Sequence, residues 1–87
     1  MTSSLKGIKI QNLGANKLEI YFDKSNLILF QSYETIVAAR LENLDYVRTS
    51  TKWSQTTTRH INKWLEGVEA IEKPQSFFDK FSKLLKK

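Results

Sequence analysis

Apolar positions in the first half of the chain recur with a period of two. From Lys6 to Gln11, Ile8 and Ile10 alternate with polar neighbours; from Lys17 to Phe22, Leu18, Ile20 and Phe22 share one side, with Lys17, Glu19 and Tyr21 on the other. That alternation predicts strands with one covered face. Asn12, Gly14 and Asn16 lie between the two runs and tolerate positive φ, so the pair reads as a hairpin. Asp23-Lys24-Ser25-Asn26 turns the chain again before the apolar run Leu27-Ile28-Leu29-Phe30, and β-branched Thr35, Ile36 and Val37 open a further strand that runs to Leu41. Glu42-Asn43-Leu44-Asp45 is a turn, and Tyr46 to Thr51 has high β propensity. Connections of about four residues favour an antiparallel meander of four to five strands, spanning residues 6–51, over parallel strands with long crossovers.

The period changes at Ser54. Trp53, Thr57, Ile61, Trp64, Leu65 and Val68 recur at spacings of three and four, with Ser54 placed to cap a helix over 54–72 that Pro74 closes. Gly67 either ends this helix or sits within it. A second helix over 75–87 sets Phe77, Phe78, Phe81, Leu84 and Leu85 against Asp79, Lys80, Lys83, Lys86 and Lys87. Its apolar stripe suits an anionic membrane, a partner's groove or the open face of the sheet; covering the sheet is expected, because a meander alone is marginal. The whole is an α+β fold in a single domain, residues 1–87.

Composition narrows the chemistry. With no cysteine and one histidine among 87 residues, disulfides and thiol chemistry are excluded. A zinc site would need three carboxylates. No metal or cofactor is expected. The first residues lack a secretory apolar run, and no stretch approaches the roughly 18 apolar residues of a membrane span, so a soluble protein without a transmembrane segment is expected. Fourteen Lys and Arg against nine Asp and Glu give a net charge of +5. Residues 35–65 hold five cations and two anions, the densest excess. Such a surface permits contact with nucleic acid or an acidic protein, although many small domains are basic for solubility alone.

The candidate chemistry gathers in Trp53 to Leu65. His60 is the natural general base, with Thr57 one helical turn before it, yet no acidic residue is spaced to orient the ring and no glycine-rich turn offers an oxyanion hole. A histidine held by backbone or hydroxyl hydrogen bonds is the expected role, and no enzymatic activity is expected. The hydroxyls of Ser54 to Thr58, with Arg59 and Lys63, suit either an anion at a helix start or simple capping. Trp53, just outside the helix, is the aromatic expected at the surface, where it has the chemistry to stack on a base; Trp64 is expected in the core. Arg48, Lys52, Trp53, Arg59, His60 and Lys63 are therefore the candidate binding residues.

Ser32-Tyr33-Glu34-Thr35, followed by Trp53-Ser54-Gln55-Thr56-Thr57-Thr58-Arg59-His60, resembles a family of small uncharacterised proteins encoded by tailed bacteriophages, over roughly residues 30–65. Its members pair a Ser-Tyr-x-Thr pattern with an aromatic-Ser-x-Thr-Thr-small-basic-His segment. The family carries no assigned catalytic residues. The resemblance implies a phage protein acting in the host cytoplasm on a host protein complex, with anti-CRISPR or other counter-defence activity as the specific expectation. Direct binding of nucleic acid by the same cations is the alternative. A homodimer through an exposed edge strand is also permitted.

Overall fold

The structure is a computed structural model that describes residues 8–23 and 25–85. Lys6 at the expected start of the first strand, Lys24 in the second turn, Lys86 and Lys87 of the basic tail, and the side chains of Leu84 and Leu85 lie outside what it describes.

The alternating segments form the strands they predict. β1 (Ile8–Gly14) and β2 (Lys17–Phe22) pair with Ile10 opposite Ile20, joined by a two-residue turn in which Ala15 and Asn16 both take positive φ, 52° and 65°. Those dihedrals match the right-handed twist of the flanking strands. β3 (Ile28–Ser32), β4 (Thr35–Arg40) and β5 (Tyr46–Thr49) continue the antiparallel meander. Between β3 and β4 the register slips: Phe30 faces Ala38 while Gln31 faces Ile36. Val37 is the extra residue of a bulge, so Val37 and Ala38 both join the same core cluster.

The sheet has two covered faces. One carries Ile20, Leu29, Ile36, Ala39 and Val47, against which Phe78 and Phe81 of the C-terminal helix α2 (Gln75–Leu85) are buried. The other carries Phe30, Val37 and Ala38, closed by Ile61 and Leu65 of the first helix, α1 (Gln55–Leu65). β3 and β4 are buried on both sides, and for that reason Ile28-Leu29-Phe30 and Ile36 to Ala39 read as unbroken apolar runs. α2 therefore docks on the sheet as its stripe predicts.

Three expectations need correction. Among the described residues the sheet has six strands, not four or five, because Ile71–Lys73 forms β6 beside β5. β6 runs parallel to β5, which the intervening helix allows as a crossover connection. The helix expected over 54–72 stops at Leu65: Glu66 takes the left-handed conformation, φ 50°, its N–H donating to the Asn62 carbonyl, and Gly67 follows at φ 86°. A left-handed residue with glycine beside it is a stop signal that outweighs the pattern continued by Val68 and by Glu66, Glu69 and Glu72 at spacings of three. Val68, expected on the apolar stripe, is 43 % exposed.

Candidate functional site

α1 begins at the junction that follows β5. Ser54 has extended dihedrals, φ −110° and ψ 167°, and its hydroxyl accepts the Thr57 N–H at 3.1 Å. This cap satisfies one of the free amides of the first turn. Thr57 turns inward, only 6 % exposed, with its hydroxyl 3.3 Å from the Ser54 hydroxyl and 3.3 Å from that of Ser32.

Ser32 closes β3 and is 2 % exposed. Its hydroxyl lies 2.9 Å from Nδ1 of His60, so strand and helix are joined by a chain of hydroxyls ending in an imidazole. Burial, and secondarily the Lys17 ammonium, holds the His60 pKa below its usual 6.5. Both effects favour the neutral ring. Ser32 and His60 have the spacing of a nucleophile and its base, but Ser32 is almost fully enclosed, and no carboxylate stands among the hydrogen-bond partners of His60 in the described residues. The pair satisfies polar atoms that burial would otherwise leave unpaired.

Tyr33 sits at the tip of the β3–β4 hairpin with φ 57°, an unusual value for a bulky residue, and its amide donates to the Asn16 carbonyl at 2.7 Å. Its ring is 47 % exposed and centred 5.9 Å from that of His60. Beyond His60, Glu19 accepts from the Trp64 indole at 2.6 Å and from the Tyr21 hydroxyl. The bond to this carboxylate, chiefly, raises the Tyr21 pKa above 10.0. Trp64 is half-buried and stacks on Phe30, ring centres 5.0 Å apart.

The expected binding residues do not form one cluster; they ring α1. Arg48, Lys52 and Trp53 line a cleft of about 340 Å³, together with Asn62 and Glu72. There the Arg48 guanidinium donates to Asn62 at 2.9 Å, while its Nε is buried without a partner. His60 and Lys63 line a second cleft of about 380 Å³, which Lys17, Glu19 and Glu66 also border. Arg59 is exposed, and the helical period places it away from Thr57 and Ile61. Trp53 is 48 % exposed, as expected. Its indole donates to Gln75 at 3.2 Å, and Gln75 in turn donates to the Ile36 carbonyl and to Asp79. The exposed ring is thus pinned to the start of α2.

Ser32 and Tyr33 border a third cleft with Lys52 and Trp53, and Lys17 and Glu19 border the second; none of the four was among the expected binding residues. The Ser-Tyr-x-Thr pattern already marked the first two, but pattern alone gave no hint that Ser32 meets His60 across 28 positions. Among the described residues no group of three His, Asp or Glu side chains is placed to hold a metal ion, and no helix is long and apolar enough to cross a membrane.

A family model matches residues 8–80, and the chain belongs to that family, a family of unknown function (DUF8033). Comparison with curated proteins and with solved structures found no match.

Proposed function

We propose that this member of a family of unknown function is a non-catalytic binding protein that docks on a partner protein through the surface around Trp53. The observation that carries the reading is Trp53 itself: a large aromatic left 48 % exposed, its indole donating to Gln75, with Lys52 beside it and Arg48 in the same cleft. Fixed aromatics next to cations are the residues on which interface energy concentrates, because little freedom is lost when a partner covers them.

Two observations favour a protein over a nucleic acid. Glu72 stands in the cleft with Arg48 and Lys52, and Glu19 and Glu66 stand with Lys17, Lys63 and His60. A groove that follows a phosphate backbone gains from one sign of charge, whereas mixed signs suit a protein partner with its own pattern. In its most specific form, the reading follows the resemblance to tailed-phage proteins: a phage-encoded inhibitor or modulator of a host complex, with counter-defence activity such as anti-CRISPR. Stacking of Trp53 on an unpaired base, with Arg48, Lys52, Arg59 and Lys63 on phosphates, is the second reading.

Affinity capture from nuclease-treated host lysate tests both. Wild-type chain should enrich a defined protein, and the Trp53→Ala chain should lose it. If capture depends on added nucleic acid, or low-salt mobility shifts show binding that fades steeply with salt, the second reading replaces the first.

A further inference from the structure

The two edges of the sheet are unlike. β6 is three residues long and is followed at once by Pro74, so it offers little to pair with. β1 is seven residues long, and among the described residues no strand lies on its outer side. Lys9 to Gly14 are all exposed, and Ile10 is 58 % exposed at the centre of the strand. An edge of this kind leaves a row of N–H and C=O groups ready for another strand.

The register of that other strand is constrained. The irregularity between Asn12 and Gly14 interrupts the ladder, which leaves Ile8–Asn12 as the straight portion, five residues with Ile10 in the middle and no proline. We infer that this segment pairs antiparallel with the same segment of a second copy of the chain, about a two-fold axis through Ile10. Each Ile10 then faces the other, Lys9 faces Gln11, and Ile8 faces Asn12.

Charge and apolar surface both fit this occupant. Lys9 is the only charged residue between Ile8 and Gly14, so a two-fold on Ile10 sets each ammonium against an amide and never directly against its copy. Within each sheet Gln11 is paired with Glu19, so the row across the junction reads Glu19, Gln11, then Lys9 of the second copy, with the amide able to accept from the ammonium and donate to the carboxylate. On the opposite face, Ile10 is paired with the buried Ile20, and the junction extends this into a continuous row of four isoleucines. Neither the Trp53 surface nor the partner proposed for it takes part.

Sedimentation of the full chain tests the pairing, because dimer fraction rises with chain concentration. The mass should double toward millimolar chain, and Ile10→Lys, which sets two ammonium groups face to face, should hold it at that of a monomer with an unchanged melting temperature. The absence of native cysteine permits a test of register. Directly opposed side chains have Cβ atoms about 4.5–5.5 Å apart, close to disulfide range. Ile10→Cys should therefore cross-link to a dimer on mild oxidation, and Lys9→Cys, displaced by two residues from its copy, should not. A monomer at all concentrations overturns the pairing, and so does a dimer that survives Ile10→Lys or cross-links equally well through both cysteines.

Discussion

The two faces of the sheet are built on different principles. Under α2, Ile20, Leu29, Ile36, Ala39 and Val47 meet Phe78 and Phe81 in an apolar layer. Under α1, apolar Phe30, Val37, Ala38, Ile61 and Leu65 share the interface with Ser32, Thr57 and His60 on one side and Glu19, Tyr21 and Trp64 on the other. Burial of carbon stabilises whatever its exact geometry, at roughly 25 cal/mol per Å². Buried hydroxyls add little net stability but fix which groups meet, since each must find its partner. Both faces therefore supply stability through buried carbon, and the α1 face in addition sets the position and orientation of the helix that carries Arg59, His60 and Lys63.

Substitutions on the two faces should separate these roles. Phe78→Ala empties a fully buried site, and should cost about 3–5 kcal/mol in denaturant unfolding. For a domain of this size that is a fall of well over 10 °C in melting temperature. Trp64→Phe keeps a ring on Phe30 and deletes the donor to Glu19; the expected loss is about 1–2 kcal/mol. Ser32→Ala removes the link between Thr57 and His60, at a cost of about 1 kcal/mol, with the His60 imidazole resonances displaced as its Nδ1 partner disappears. Equal losses for Phe78→Ala and Ser32→Ala would erase the distinction between the faces.

Acid should act through the α1 face. The folded-state pKa of His60 lies below its unfolded value, so between the two values the unfolded chain binds more protons. The stability that neutral His60 contributes is full above pH 6.5 and declines as pH falls through the folded-state value. Unfolding midpoints measured from pH 7.5 to 5 should show this decline, reduced in His60→Gln. NMR titration of the ring should place its midpoint below 6.5.

Legibility in the sequence followed the same division. The alternation in β2, the Ser54 cap and the amphipathic stripe of α2 are local patterns, and the structure reproduces them. β6 was not legible: Glu66, Glu69 and Glu72 keep a spacing of three that suits a solvated helix, and the parallel pairing of Ile71 with Val47 depends on contacts 24 positions apart. Gly67 was the available signal, because glycine next to a left-handed residue ends a helix more decisively than charge spacing extends it. Exposure of Trp53 followed from its place outside the helix, but its bond to Gln75 did not, since that requires knowing where α2 starts in space. His60 stood out as an isolated imidazole among threonines; its hydrogen-bond partner Ser32, on a distant strand, did not.

A small stability effect belongs to the residue with the largest proposed role. Trp53→Ala should change the unfolding free energy by only about 0.5–1 kcal/mol, because half the ring is already in water. Its effect on binding is the most direct test of the proposed function. Capture from nuclease-treated host lysate is compared for wild type, Trp53→Ala and Arg59→Ala, each first shown to be folded by its melting curve. A protein partner retained by wild type, reduced at least tenfold by Trp53→Ala, and weakened less by Arg59→Ala would place the docking surface at the junction before α1. A partner bound equally by wild type and Trp53→Ala would contradict it.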